Sequence, residues 1–416
     1  MQSYSRIPVR FALSSTLLIV AGAGCVGAPK SSDPPAGQNK QHDMTATPLW
    51  TATFDKPPLS FHAAAVDDDG NTYIAAFTPQ GGDVSLLYKI DTSGAFVFDQ
   101  FVGSGMFFVD AVRANSTGSV TAATSFNGFP PQIRIHRFDP SGNTPFEYTG
   151  PATGSNDGGR HSVDICSDGS TVFIEHDRGS PSPSLAMVDA SGAVQWTDPV
   201  DGMAPAKVRC YGDGQIVVGG TMSGSAALAF FQSDGTVGPS WTSSDTGATG
   251  VLFDRNGDVL YVGATVGGSF AVYAVDSSAK PQWSWTSAGP DDAFSGIASS
   301  AAITVVGTRN TCGALNDYIA QLDTSGNLRW DRTVPLGSDG GTGGVGGVSV
   351  DGAERAFVCD FGGGSSNAAL YDTDGSTVWS ASTAPVVGQF VDVTNAIARC
   401  VGPTGDGVGI VAFQVE

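Results

Sequence analysis

The chain has 416 residues, a hydrophobic fraction of 41% and a formal net charge of −20 at pH 7. This apolar content is enough for a large core and argues against global disorder. The acidic balance argues against nucleic acid, whose binding needs clustered Lys and Arg, and against electrostatic attraction to an anionic bilayer.

The N-terminal segment, residues 1–24, has the layout of a secretory signal peptide. Two arginines precede the apolar run FALSSTLLIVAGAG, which is short for a transmembrane helix, and small residues then lead directly to Cys25. This junction resembles a bacterial lipobox. The resemblance implies that Cys25 is acylated, becomes the mature N-terminus and anchors the protein to a membrane. The alternative is an ordinary signal peptide followed by an incidental cysteine.

Residues 25–48 are rich in Pro, Ser, Gly, Gln and Asn and contain little that could be buried. This composition predicts a flexible tether. The folded part is expected to start near Leu49 and to form one domain over residues 49–416.

An Asp-x-x-Gly phrase, with an aromatic residue seven positions after the Asp, recurs along this domain. Complete copies begin at Asp91, Asp139, Asp189, Asp323 and Asp372, and degraded copies begin at Gln232 and Asp276. Successive copies start about 43 to 50 residues apart. A fixed period of this length is the mark of a repeat architecture.

Each repeat contains four strand-length apolar runs. In residues 250–285 these runs are GVLF, VLYVGA, FAVYAV and QWSW, separated by Asp, Asn, Ser and Gly. Such short β-rich runs with turn residues between them predict the four antiparallel strands of a β-propeller blade. The recurring phrase then holds the third strand, its turn and the outermost strand, and its aromatic residue is expected between neighbouring blades.

The ends of the domain complement each other. The C-terminal run GIVAFQVE has the pattern of a third strand, and the N-terminal run PLWTATF has the pattern of an outermost strand with Trp50 in the aromatic position. Together they predict an eighth blade that closes the ring by strand exchange between the termini and leaves no exposed edge. The alternative is a seven-bladed ring with an irregular tail.

The repeats resemble two known families. DDAFSGIASS and DYIAQLDTSGNLRW, within residues 291–330, look like the SBBP-type propeller repeat of bacterial secreted and surface proteins. The Asp-x-x-Gly-x-x-x-Trp phrase is also similar to the tryptophan-docking repeat of quinoproteins. An eight-bladed lipoprotein of that repeat type implies a role in outer-membrane protein assembly.

Blade three carries polar residues where other blades carry small ones. Its candidate cluster comprises His161, Asp164, Glu175, His176 and Asp177. Convergent acids and histidines are typical of ligand or acid–base sites. The alternative is an exposed strand end with solvated side chains.

Two hairpin turns resemble half of a calcium loop. They place Asp67 and Asp69 in DDDGN, and Asp254 and Asp258 in DRNGD, but lack the distal bidentate Glu. Ordinary turns with no cofactor are therefore the first interpretation, and structural calcium is the alternative.

Four cysteines occupy matching places in neighbouring blades. Cys166 matches Cys210, and Cys359 matches Cys400, while Cys312 is left over. In an exported protein these pairs suggest disulfides, and buried free thiols are the alternative.

None of the five histidines has a metal-ligand spacing, and the chain contains neither a Gly-x-Ser-x-Gly elbow nor a phosphate-cradling loop. We therefore expect a monomeric, non-catalytic scaffold at the outer membrane or cell surface, with an envelope protein or glycan as partner. The alternative localisations are periplasmic or secreted. The alternative functions are an enzyme that acts on a small molecule or polysaccharide in the central channel, and an accessory factor in outer-membrane protein assembly.

Overall fold

A computed structural model describes residues 44–54, 60–78, 84–104, 107–126, 132–150, 162–175, 183–289, 292–311, 314–335, 347–359, 367–384, 386, 388–405 and 407–415. Every regular element in these ranges is a β-strand. No helix in this part of the chain is long and apolar enough to span a membrane. The described strands form eight sheets, which are the blades of a β-propeller.

Two strands precede the first blade, β1 (Met44–Thr45) and β2 (Trp50–Phe54). Blade 1 comprises β3 (Ser60–Val66), β4 (Thr72–Thr78), β5 (Val84–Ile90) and β6 (Phe96–Ser104). Blade 2 comprises β7 (Phe107–Ala114), β8 (Val120–Phe126), β9 (Gln132–Phe138) and β10 (Phe146–Thr149). Blade 3 comprises β11 (Val163–Ile165), β12 (Thr171–Glu175), β13 (Ser184–Val188) and β14 (Val194–Pro199). Blade 4 comprises β15 (Met203–Cys210), β16 (Gln215–Met222), β17 (Ser225–Gln232) and β18 (Val237–Thr242).

The second half repeats the same order. Blade 5 comprises β19 (Ala248–Asn256), β20 (Val259–Val266), β21 (Ser269–Asp276) and β22 (Pro281–Thr286). Blade 6 comprises β23 (Asp292–Ser299), β24 (Ala302–Thr311), β25 (Ala314–Asp323) and β26 (Leu328–Pro335). Blade 7 comprises β27 (Gly347–Val350), β28 (Ala356–Cys359), β29 (Asn367–Tyr371) and β30 (Thr377–Ser382). Blade 8 begins with β31 (Phe390–Thr394), β32 (Ile397–Pro403) and β33 (Val408–Gln414).

The outermost strand of blade 8 is β2, from the other end of the domain. It pairs antiparallel with β33, and Trp50 stands opposite Ala412. The innermost strands β3 and β31 are also in contact, so blade 8 meets blade 1. The eight-bladed ring with exchanged termini is therefore confirmed, and the seven-bladed alternative is wrong.

The strand β1 adds an edge to blade 7. It pairs in parallel with β30, and Met44 stands opposite Trp379. Blade 7 is thus a five-stranded sheet. Met44 and Thr45 therefore belong to a propeller sheet, although they lie within residues 25–48, whose composition predicts a tether.

Neighbouring blades interlock through large and small residues. A Cβ built on Gly219 would lie 2.6 Å from Cε1 of Phe253 in the next blade, and one built on Gly263 would lie 3.0 Å from Cε1 of Phe294. The small residues on the second strands therefore make room for aromatic rings of the following blade. Both rings are buried in the resulting hydrophobic clusters.

The recurring aromatic residue packs on the turn of the next blade. A Cβ on Gly326 would lie 2.7 Å from the ring of Trp283, whose Nε1–H donates to the Thr324 carbonyl at 2.9 Å. Trp50 has the same relation to Gly94 and donates to the Thr92 carbonyl at 3.0 Å. Equivalent ring-on-glycine contacts join Phe98 to Gly142, Phe146 to Gly192, Trp196 to Gly235 and Trp330 to Gly375. The predicted position of the aromatic residue between blades is confirmed.

Candidate binding site in the central channel

The innermost strands of the ring surround a central channel, and charged residues are concentrated on four successive ones. Arg113 is on β7, Asp164 on β11, Lys207 and Arg209 on β15, and Asp254 on β19. We call these five residues the channel cluster. They stand out in a chain in which only 14% of residues are charged.

The repeat places the cluster at one level of the ring. Arg113, Asp164 and Arg209 are each the penultimate residue of their innermost strand. A bulge between Pro205 and Lys207 shifts the register of β15. Beyond the bulge, strand alternation puts Lys207 and Arg209 on the same side.

Direct contacts tie the cluster together across blades. Arg113 Nε lies 3.8 Å from Asp164 Oδ1, and the Cys210 amide donates to Asp164 Oδ2 at 2.9 Å. Lys207 Nζ donates to the Phe253 carbonyl at 2.8 Å. The cluster therefore spans blades 2 to 5 and lies where their innermost strands meet.

Positive charges in the cluster repel one another. Burial, followed by the nearby charge of Arg209, lowers the pKa of Arg113 to about 9, and Asp164 partly opposes this shift. Burial is also the main cause that lowers the pKa of Lys207 well below its ordinary value, and Arg209 and Arg113 add to it. Cations that disfavour each other's charged form create a positive potential at this point of the channel.

A cavity of about 350 Å³ lies beside the ends of β15 and β19. Its lining includes Tyr211, Asp213 and Arg255. Burial is the main cause that raises the pKa of Tyr211, with Arg209 and Asp254 among the nearby charges that act on it. The Arg255 guanidinium stacks on the Tyr211 ring at 4.5 Å and pairs with Asp213 at 2.7 Å, so it belongs to the wall of the cavity.

The polar residues predicted on blade three divide between two faces. Asp164 stands opposite Val172, whereas Glu175 alternates onto the face of β12 that carries Phe173. Glu175 is buried and contributes to raising the pKa of Tyr148 to about 12, a shift caused mainly by burial. The structure therefore does not bring these two carboxylates together. His161, His176 and Asp177 lie outside the described residues.

The predicted cysteine pairs are in bonding contact. Cys166 is joined to Cys210 with a Cα–Cα distance of 5.1 Å, and Cys359 to Cys400 at 6.0 Å. Each bridge links two adjacent blades. Cys25 and Cys312 lie outside the described residues.

The carboxylates of Asp67 and Asp254 accept hydrogen bonds from other groups of the protein. Asp67 accepts hydrogen bonds from Asn71 and Tyr73, and Asp254 accepts from the amide and hydroxyl of Ser299. Asp258 is an exposed side chain 3.9 Å from Arg255. Within the described ranges no three His, Cys, Asp or Glu side chains, Asp69 included, form a group that could hold a metal ion.

The cations of the channel cluster were missed by motif reasoning, because Arg113 and Arg209 are far apart along the chain. A usable signal was present in the strand sequences. VDAVRA carries one basic residue and MAPAKVRC two inside an innermost strand, where blades 1 and 7 carry the small residues Ala65 and Ser349. In an acidic chain with few charges, basic residues at interior strand positions of only some repeats indicate a candidate site.

Comparison with known proteins supports the fold. No family model matches the chain, and no curated protein sequence matches it. Among solved structures, the C-terminal WD40 domain of Sif2 matches with a TM-score of 0.63 at 10% identity, covering 90% of this chain and 99% of that one. The Dos1 propeller matches with a TM-score of 0.60 at 10% identity, covering 89% and 95%. At such low identity these similarities establish that the chain is an eight-bladed β-propeller and carry no function with them.

Proposed function

We propose that this protein is an exported, lipid-anchored propeller of the SBBP-repeat type that acts as a rigid, non-catalytic binding scaffold at the cell envelope. The observation that carries the proposal is the closed ring in which aromatic rings pack on the turns of following blades. Such a frame holds its connecting segments in fixed relative positions, which is what a binding surface made of loops requires.

Export is supported by the two bridges between blades. Cys166–Cys210 and Cys359–Cys400 both join separate strands of the folded ring. Bonds of this kind persist in oxidising compartments and are rare in reducing ones. They agree with the signal-peptide pattern of residues 1–24 and with acylation at Cys25.

The two faces of the ring differ in how their strand ends are connected. The turns between first and second strands, and between third and fourth strands, are short and are closed by their own hydrogen bonds, as in Asp67 to Asn71 and Asp323 to Asn327. The connections on the opposite face vary more in length, from two residues between Met222 and Ser225 or between Val266 and Ser269 to thirteen between Thr149 and Val163. We place the binding surface on that opposite face.

Anchoring is tested with Cys25→Ser. The variant is expected to leave the membrane fraction or to accumulate as an uncleaved precursor. Cys312→Ser serves as the matched control and should partition like wild type. A mature-sized Cys25→Ser protein that remains in the membrane fraction would show that the anchor is wrong.

The binding face is tested by site-specific photocrosslinking in intact cells. Photoreactive residues at Asn127 and Ser180 lie between second and third strands, and those at Ser93 and Ser325 lie in the Asp-x-x-Gly turns. We expect a discrete crosslinked partner from the first pair and none from the second. Crosslinks from the turn positions alone would place binding on the other face and contradict the proposal.

A further inference from the structure

We propose that the channel cluster is a binding site for a tetrahedral oxyanion, namely phosphate or the phosphate group of a small ligand. The proposal names the chemical class of one ligand of the scaffold. It depends on the propeller ring and is independent of export and anchoring.

Basic groups outnumber carboxylates in the cluster. Arg113, Lys207 and Arg209 are basic, and Asp164 and Asp254 are acidic. Asp254 Oδ2 is already engaged by Ser299, whose amide and hydroxyl donate to it at 2.7 and 3.0 Å. The cluster therefore has a local excess of basic groups in a protein with a net charge of −20.

Lys207 and Arg209 use little of their hydrogen-bonding capacity. The Arg209 guanidinium donates to its neighbour's carbonyl, Val208 O, at 3.3 Å, and Lys207 Nζ donates to the Phe253 carbonyl at 2.8 Å. Neither residue forms an ion pair with a carboxylate of the described chain. Arginine has five N–H donors and lysine has three, so most of these donors remain for a ligand.

One buried donor of the cluster has no acceptor among the described residues. Arg113 Nε is buried and makes no hydrogen bond within the described structure, while Nη1 of the same group donates to the Val112 carbonyl at 2.9 Å. Asp164 lies 3.8 Å from this nitrogen, beyond hydrogen-bond length. A buried unsatisfied N–H is costly, and an anion oxygen beside Arg113 and Arg209 would satisfy it.

Phosphate fits this arrangement better than a single carboxylate. Its oxygens point in four directions, so one group can accept hydrogen bonds from several cations, and the planar guanidinium matches phosphate oxygens in pairs. A dianion also relieves the repulsion by which Arg209 lowers the pKa of Arg113 and of Lys207.

The test is isothermal titration of the purified mature chain with inorganic phosphate, with glycerol 3-phosphate in parallel. We expect binding of one phosphate per chain that weakens as ionic strength rises, and a loss of about tenfold in affinity for Arg209→Gln, since one charge-assisted interaction is removed. Asp164→Asn keeps an acceptor for the Cys210 amide and should bind phosphate more tightly than wild type. Arg355→Gln, in a turn of blade 7, should bind like wild type.

Tighter binding of glycerol 3-phosphate than of phosphate would identify an organic monoester as the ligand, and equal binding would identify free phosphate.

Thermal melting of each variant serves as the control for correct folding. Arg209→Gln removes one of several repelling cations, so without phosphate it should melt at or above the wild-type temperature. Phosphate should raise the melting temperature of wild type and not that of Arg209→Gln. Absence of binding at millimolar phosphate, or equal binding by a folded Arg209→Gln variant, would overturn the inference while leaving the anchoring and crosslinking results of the proposed scaffold unaffected.

Discussion

The junction between blades 5 and 6 differs from the junction between blades 7 and 8. At the first, Trp283 packs on Gly326 and donates to the Thr324 carbonyl. At the second, the third strand of blade 8 is β33 and the fourth is β2, so no Asp-x-x-Gly turn is available to receive Trp379.

Other contacts replace the turn at the junction of blades 7 and 8. Trp379 packs against Phe413 with ring centroids 5.1 Å apart, Cys359 is bonded to Cys400, and β1 pairs with the outer edge of β30. The comparison teaches that each junction needs a contact near its outer edge. Where strand exchange interrupts the repeat, an additional strand lies at that outer edge, and a disulfide joins the second strands of the two blades.

The largest effect is expected from deleting residues 1–54, which removes β1 and β2 together. Loss of a fully buried Trp costs about 3–5 kcal/mol, so loss of the half-buried Trp50 costs less, and whole domains are stable by only about 5–15 kcal/mol. Without Trp50 and the strand that completes blade 8, the protein should melt much lower or aggregate, as measured by calorimetry and light scattering. Deletion of residues 26–43, which stops before β1, is the control and should leave the melting temperature nearly unchanged. A 1–54 deletion that melts like the mature chain would contradict closure by β2.

The second prediction compares the two disulfides. The Cys359→Ser/Cys400→Ser double variant should lose about 2–4 kcal/mol of unfolding free energy, the usual range for such a bridge. Cys166→Ser/Cys210→Ser should lose less, because blades 3 and 4 keep the Trp196 ring on Gly235. The sequence separations of 41 and 44 residues are similar, so chain entropy alone predicts nearly equal losses. Urea unfolding under non-reducing conditions measures both losses. Equal losses would show that the Cys359–Cys400 bridge does not compensate for the missing turn at the junction between blades 7 and 8.

The third prediction isolates the ring-on-glycine contact. Gly326 has φ +86° and would place a Cβ 2.7 Å from the Trp283 ring. Gly326→Ala should therefore cost about 1–2 kcal/mol for the backbone and about 1–3 kcal/mol for the clash. In a Trp283→Ala background only the backbone cost should remain. Gly257→Ala, at φ +59° with nothing within 4 Å, is the matched control and should show the backbone cost alone. Additive losses in the double variant would mean that the ring and the glycine are not coupled.

The smallest effect is expected from acidifying a single turn. Hydrogen bonds from the Asn327 side chain first, and from its backbone, lower the pKa of Asp323 below the ordinary value of 3.8. A carboxylate with a depressed pKa contributes stability that is present above that ordinary value and is lost as the pH falls through the folded-state pKa. Asp323→Asn keeps an acceptor without the charge, so its stability should fall less than that of wild type between pH 5 and about 3 in urea titrations. Parallel pH profiles would show that this carboxylate is not linked to folding.

The fold was predictable because the repeated phrase contains the residues that form its own turn. Asp323 accepts from the amides of Ser325 and Asn327, and Gly326 supplies the positive φ that closes the turn. Even the degraded copy at Asp276 keeps the geometry, since Ala279 adopts φ 64° in place of Gly. Sequence spacing therefore identified seven blades, and the complementary ends of the domain indicated the eighth.

The site was not predictable to the same degree, because its residues meet only through the ring. Lys207 is placed by a bulge that no composition rule indicates, and Arg113 reaches Asp164 only when blades 2 and 3 are adjacent. The pairing of β1 with β30 likewise depends on closure of the whole domain. Non-local contacts of this kind leave no periodic signal in the chain.

Pairing between β2 and β33 also dictates the order of assembly. The Leu49 amide bonds to the Ala412 carbonyl, so a strand synthesised near the start of the domain waits for one synthesised at its end. Until then β33 presents an open edge to other chains, which favours intermolecular pairing. Final closure is thus a long-range, entropically slow step, and a newly made chain depends on dilution or a chaperone for longer than a protein built from local contacts.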